Sequence, residues 1–214
     1  MQMASPIHVS YLFDPLCGWC YGASPMVEKL AAEPDFTVTL VPTGLFSGTG
    51  ARPMDAAFAA YAWANDQRIE RMTGQPFSNE YRQNVLGADS RRFDSAPATL
   101  ALTAVHVSEP EREFEALKAI QHARYVNGVD ITDASVLAAV LRELGLEDAA
   151  RRISAPGAEL LDANRERVDS ARQTMGRFGL QGVPSLVVGE DEVGRVVSGN
   201  ALFGGLDELL FNLR

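Results

Sequence analysis

The chain is poor in cysteine, with two among its 214 residues. That count excludes a disulfide scaffold and leaves a structural zinc site, which takes four ligands, short of donors. Histidine does not make up the difference: His8, His106 and His122 are the whole complement. They are scattered, none beside a second ligand or a nucleophile, and are read as structural, so no metal site is expected. Positive charge is short as well. Lys and Arg number 19 against 28 Asp and Glu, a formal net charge of −9. Such a surface repels phosphate backbones, and no basic stripe with interleaved aromatics interrupts it, so a nucleic-acid partner is not expected. No apolar run approaches the ~20 residues of a membrane span. Met1 to Pro6 shows neither a basic n-region nor a long apolar h-region. No secretory signal is read there, and the expected location is the cytoplasm. Repeats, low-complexity tracts and Ser/Pro-rich linkers are missing too.

What is present is a hydrophobic fraction of 46%, ordinary for a globular chain and enough for a core without staples. The length allows one large domain or one domain carrying a big insertion. Both cysteines sit in one motif, Cys17-Gly18-Trp19-Cys20. It follows the apolar run Ile7 to Phe13 and precedes a helix-like stretch. A Cys-x-x-Cys at a strand-to-helix junction in a cytosolic chain reads as a redox pair. A thiol at a helix N-terminus faces unsatisfied N–H groups and the positive end of the dipole, which favour thiolate. The second thiol, one turn on, is close enough to form a disulfide with the first. Stable structural disulfides are rare in the cytoplasm, so this pair is expected to cycle rather than to staple.

The pattern along the chain predicts a strand over Ile7 to Phe13, closed by Asp14-Pro15. A short helix is predicted over Pro25 to Ala32, and a second strand over Phe36 to Val41. That order suggests a right-handed parallel βαβ unit. From about Pro53 to Ile153 the pattern is helical almost throughout. Ser95 and Pro97 open a helix apolar on most sides, hence buried. Ser108-Glu109-Pro110-Glu111 reads as a capping box for the next helix. Val136, Leu137, Val140, Leu141 and Leu144 form a stripe ended by Gly145. A long helix, roughly Ala158 to Phe178, places Leu161, Val168, Ala171, Met175 and Phe178 on one face, and Gly179 stops it. Ser185 to Val188 and Arg195 to Ser198 read as strands joined by a turn over Glu190 to Gly194, and Leu206 to Leu213 as a closing helix. Gly182-Val183-Pro184-Ser185 puts a proline at the first strand position, where a missing ladder donor is tolerated. Taken locally, a trans proline starting a strand is the simpler reading.

In combination these features resemble the DsbA-like branch of the thioredoxin superfamily, and within it the cytoplasmic FrnE-like group of predicted disulfide isomerases. The stretch Phe13-Asp14-Pro15-Leu16-Cys17-Gly18-Trp19-Cys20-Tyr21-Gly22 carries most of the likeness. Gly182-Val183-Pro184 supports it, and Thr73-Gly74-Gln75-Pro76-Phe77 and Phe93-Asp94-Ser95-x-Pro97 add weaker support. The resemblance implies an α/β thioredoxin-like fold, a central mixed β-sheet flanked by helices, with a large all-helical insertion. Residues 1–48 and 156–214 would form the thioredoxin-like domain and 49–155 the insertion. It further implies that Cys17 attacks, that Cys20 resolves, and that Pro184 is cis beside them, with the Val183 backbone free to pair with an extended substrate.

Two departures stand out. Many thioredoxin-fold enzymes carry a buried carboxylate six residues before the first cysteine, where this chain has Tyr11. The nearest acid is Asp14, either a proton-transfer group for Cys20 or a turn-former before Pro15. Between the cysteines stands Gly-Trp rather than the Pro-His of the periplasmic oxidants, so a less oxidising pair is expected. Trp19 is read as a partly exposed substrate contact, the alternative being packing against the insertion. Leu45, Phe46 and Phe203 are further candidates for that surface. The expected activity is thiol–disulfide exchange or disulfide isomerisation on protein or small-molecule disulfides. No cofactor is needed beyond the redox-active cysteines, and glutathione or a thioredoxin system would donate electrons. Two rivals remain. One is a glutathione-dependent isomerase or transferase of the kappa-like type, which normally carries serine at the position of Cys17. The other is a redox-inert peptide-binding chaperone.

Overall fold

The computed structural model describes residues 5–88, 92–189 and 194–214. Alternating bulky residues make Ile7–Phe13 a strand (β1), and its side chains Val9, Tyr11 and Phe13 are fully buried. The parallel partner β2, Phe36–Pro42, runs in register from Ile7 opposite Phe36 to Phe13 opposite Pro42. Between them lies helix α1, Gly18–Ala31. On the other side β1 pairs antiparallel with β5, Ser185–Val188, which pairs antiparallel with β6, Arg195–Val197. The result is a mixed four-stranded sheet in the order β2-β1-β5-β6. It is the thioredoxin-like architecture that the strand–helix–strand and hairpin patterns announce. Apart from Gly194, the turn read at Glu190 to Gly194 falls outside the described residues, as do Met1 to Ala4.

The segment from 49 to 155 opens with a two-residue strand β3, Arg52–Pro53, paired to β4, Arg92–Phe93. Between them stand helix α2, Ala56–Thr73, and a short α3, Asn79–Tyr81, continued by a π-helical turn over Arg82–Leu86. Helices α4 (Ala96–Ser108), α5 (Glu113–Tyr125), α6 (Ala134–Glu143) and α7 (Glu147–Ser154) follow. Helix α8, Ala158–Arg177, then packs on β2, and α9, Leu206–Leu213, closes the chain. Helix α4 is buried on nearly all sides, as its all-round apolar sequence predicts. The α6 stripe also forms, with Leu137 and Leu141 buried and Gly145 turning the chain at φ +75°.

Three sequence expectations are corrected. Helix α1 begins at Gly18, inside the cysteine motif, rather than near Pro25. Proline suits a first turn, but here it sits mid-helix, where it withholds an N–H from the Tyr21 carbonyl. That carbonyl is supplied instead by the Ser24 hydroxyl at 2.9 Å and the Gln75 side-chain amide at 3.3 Å. Ser108 forms no capping box. It is the last residue of α4, its hydroxyl donates back to the Ala104 carbonyl at 2.8 Å, and a 3₁₀ turn over Pro110–Arg112 separates it from α5. Finally, α8 buries Leu160, Val168 and Ala171, leaving Leu161 exposed.

Helices α1 and α2 approach closely because α1 carries glycine at two positions four apart. A Cβ on Gly18 would lie 2.5 Å from Asp66 Oδ1, and one on Gly22 would lie 2.4 Å from Ile69 Cγ2. The glycine of the cysteine motif is therefore a contact residue, dictated by a helix some fifty positions away in sequence.

Candidate active site

Cys17 is the N-cap of α1, and its sulfur accepts the Cys20 N–H at 3.4 Å. Its own N–H donates to the Asp14 carbonyl at 3.0 Å, tightening the turn out of β1. Both cysteines are free thiols. They differ in access: Cys17 is 6% exposed and Cys20 fully buried. Burial pushes the Cys20 thiol well above its ordinary range, and the neighbouring Cys17 adds to the shift. The geometry thus offers one slightly exposed thiol at a helix N-terminus and one fully buried on the same turn.

The Val183–Pro184 peptide is cis. It faces the motif, with the Val183 carbonyl oxygen 3.6 Å from Cys17 Sγ. Trp19 is half-buried, packed edge-on to Phe203 at 5.2 Å between ring centres, with the Arg68 guanidinium 5.6 Å from its ring. It rims two cavities. A smaller one, of about 310 Å³, is lined by Val183, Pro184, Asn200 and Phe203. A larger one, of about 470 Å³, is the cavity that Cys17 itself lines, with Leu45, Phe46, Phe58 and Phe93 on its walls. Leu45 and Phe46 thus border the thiol's own cavity, whereas Phe203 belongs to the neighbouring one.

Asp14 is completely buried and carries three hydrogen bonds on its carboxylate. One oxygen accepts the Leu16 N–H at 2.9 Å. The other accepts the Ser95 hydroxyl at 2.7 Å and the Phe46 N–H at 3.1 Å. Burial raises its pKa, and these donors oppose the shift. Asp14 forms the turn and also ties the cysteine loop to the cavity wall and to the start of α4. The position six residues before Cys17 holds Tyr11, whose buried hydroxyl donates to the Cys20 carbonyl at 3.3 Å.

The two weaker motifs sit in direct support of this site. Gln75 completes the proline gap in α1, also donating to the Ser24 hydroxyl at 3.2 Å, while the Pro76 carbonyl accepts the Tyr21 hydroxyl at 3.2 Å. Phe93 tilts against Phe46 at 4.7 Å, and Ser95 is the residue that bonds Asp14. From the far side, Arg172 of α8 donates to the carbonyls of Thr43 and Gly44 at 3.2 and 2.7 Å, fixing the loop that carries Phe46. The histidines play no part here: His106 pairs with Glu113 at 2.8 Å, and His8 with the Thr39 hydroxyl at 2.8 Å. Among the described residues, no group of three or more His, Cys, Asp or Glu is placed to hold a metal ion.

Sequence reasoning missed the polar floor of the larger cavity. Asp66 is buried there, hydrogen-bonded by the Tyr81 hydroxyl at 2.9 Å. Behind it the buried Arg124 guanidinium lies 5.4–5.6 Å from the rings of Tyr81, Phe93 and Tyr125. The Tyr125 hydroxyl donates to the Leu16 carbonyl at 2.8 Å, one residue before Cys17. A signal was present: Asp66, Ile69 and Thr73 recur at helical spacing, so a carboxylate stands on the face of α2 that turns inward.

Comparison with known proteins agrees with this fold. The cytosolic disulfide reductase DsbM from Pseudomonas aeruginosa superposes with a TM-score of 0.83 at 33% identity, over 95% of this chain and 96% of that one. A structure of the same reductase with GSH gives 0.81, with the same identity and coverage. A Nitrosomonas europaea protein described as a putative protein disulfide isomerase gives 0.77 at 26% identity, over 98% of this chain and 96% of that one. No match was found among curated proteins. The family model for the DSBA-like thioredoxin domain matches residues 8–210, so the chain belongs to the DsbA-like thioredoxin-domain family.

Proposed function

We propose that this protein is a thiol–disulfide oxidoreductase that reduces or isomerises disulfides, with Cys17 as nucleophile and Cys20 as resolving thiol. The observation that carries the reading is the pairing of an approachable sulfur at a helix N-terminus with a buried one on the same turn. The Cys17 thiolate attacks a substrate disulfide, one half leaves, and a mixed disulfide forms. Cys20 then attacks Cys17 and releases the second half, leaving the Cys17–Cys20 disulfide. Val183 and Trp19 would bear on the substrate, a reading supported by the Val183 carbonyl 3.6 Å from Cys17 Sγ and by Trp19 lining both cavities. Pro184 would shape the smaller cavity, and residues 49–155 would act as one insertion that walls the larger one.

Likeness to a cytosolic reductase, one structure of which includes GSH, supports a cytoplasmic setting and glutathione as reductant or as half of a mixed disulfide. No helix among the described residues is long and apolar enough to cross a membrane. The test is a trapping experiment. Cys20→Ser should accumulate a mixed disulfide on Cys17 with glutathione or a peptide thiol, seen as an added mass. Cys17→Ser should lose disulfide reduction altogether. Undiminished turnover in Cys17→Ser would favour a glutathione transferase chemistry in which a hydroxyl suffices. A pair that never cycles between dithiol and disulfide would favour a peptide-binding chaperone.

A further inference from the structure

The Val183 carbonyl stands against the Cys17 sulfur, and Cys17 also lines the larger cavity, one wall of which is α2. Thiol–disulfide exchange runs in line: the attacking, central and leaving sulfurs are collinear. A disulfide attacked from this cavity therefore holds its departing half inside it. The walls there are mainly aromatic and aliphatic, a poor medium for a bare thiolate. Among the described residues, one acid lines them. Asp66 is buried in the same cavity, and its Oδ1 lies against the backbone of Gly18, the residue that follows the nucleophile. Its Oδ2 is held by the Tyr81 hydroxyl, which fixes the carboxyl plane.

We propose that Asp66 is the general acid that protonates the thiolate expelled from the substrate disulfide when Cys17 attacks. This rests on the oxidoreductase reading above and deepens it. The bond between Cys17 Sγ and the central sulfur forms as the substrate S–S bond breaks. The electron pair departs with the far sulfur, which takes the proton from Asp66. The thiol product leaves neutral, and the carboxylate is reprotonated from solvent through the cavity mouth. Cys20 later displaces the second half, so the enzyme dithiol is oxidised as the substrate is reduced.

The charge environment suits the task. Burial raises the Asp66 pKa to about 7, against the opposing pull of the Tyr81 hydroxyl and the Arg124 charge. The groups facing it are Cys17 at the start of α1, Tyr81 from α3, Arg124 and Tyr125 from α5, and Arg52 from β3 across the cavity. The proton is therefore available at neutral pH, and the anion left behind has a hydroxyl donor and a guanidinium to stabilise it. An acid tuned near the working pH is what general acid catalysis requires.

The experiment compares two disulfides in single-turnover reduction by the fully reduced protein. Hydroxyethyl disulfide expels a basic alkyl thiolate that needs a proton, whereas an aryl disulfide releasing thionitrobenzoate expels one that does not. The ratio of the alkyl to the aryl rate cancels the ionisation of Cys17. In the wild type that ratio should fall as pH rises through about 7 and Asp66 loses its proton. In Asp66→Asn the alkyl rate should drop about 100-fold and the aryl rate by no more than about two-fold, and the ratio should become flat with pH. A pH-independent ratio in the wild-type protein, which needs no variant to fold, would overturn the proposal. So would equal slowing of both substrates in Asp66→Asn. If the wild type reduces neither disulfide, the oxidoreductase reading itself fails.

Discussion

Asp14 shows how much one buried side chain can fasten. Its carboxylate receives Leu16 from the cysteine loop, Phe46 from the cavity wall and Ser95 from the foot of α4. Removing it strands those donors away from water, at about 1–3 kcal/mol for each group left unsatisfied. Asp14→Ala should cost about 3 kcal/mol or more in urea unfolding, by that reckoning. Asp14→Asn keeps an acceptor oxygen and should cost less. If Asp14 only fastens, Asp14→Asn will resolve the Cys17 mixed disulfide at the wild-type rate. A slowed resolution step would restore the proton-transfer role to this residue. Both possibilities were open in the sequence because an aspartate before proline turns a chain whether or not it also handles protons.

The helix pair α1 and α2 carries the site, and its closeness is set by glycine. Gly22→Ala would drive a methyl into the β-methyl of Ile69, a fully packed position. Overpacking of this kind costs about 1–3 kcal/mol, to be read from the shift of the denaturation midpoint. Ile69→Leu lacks that β-methyl, so in the Gly22→Ala background it should recover part of the loss. Unchanged stability in Gly22→Ala would mean the helices can part without penalty. The strands β1, β2, β5 and β6 were legible because alternation and short apolar runs are local signals. The start of α1 was not. Pro25 mimics a helix opening, and only the distant Gln75 and the nearby Ser24 make it acceptable mid-helix. Cys17 and Cys20 were legible from their spacing, whereas a cis Pro184 beside them followed only from the family resemblance, because a proline at a strand start reads locally as trans. Asp66 was legible only as a carboxylate at helical spacing with Ile69, since no local signal tells that α2 will lie across the cysteine turn.

For the molecule as a whole, Asp66 ties stability to pH in an uncommon direction. Its carboxyl ionises near pH 7 when folded, as burial disfavours the charge, but near 3.9 when unfolded. The native state binds the proton over that interval and the unfolded state does not. Its contribution to stability is therefore intact below about pH 4 and is lost as pH rises to about 7. Each tenfold difference in proton affinity between the two states is worth about 1.36 kcal/mol. Asp66→Asn should thus be more stable than the wild type at pH 8 by a few kcal/mol, and the gap should close toward pH 4. Thermal unfolding across that range reads the difference directly, and a gap independent of pH would show that Asp66 ionises alike in both states.

The central strand has a further consequence, in the order of synthesis. Strand β2 follows β1 closely in the chain, but the other neighbour of β1, β5, is among the last segments to be made. Leu12 is joined by Ser185 only about 10–30 s later on a ribosome adding roughly 5–20 residues per second. Throughout that interval one edge of the innermost strand lies unpaired, immediately ahead of a pair of thiols still lacking the Val183 carbonyl. A nascent chain in this state is open both to strand addition by a stranger and to oxidation by whatever disulfide reaches it first. The helices made between the two strands grow while that edge waits, and the last hairpin closes over a site whose other walls have already been built.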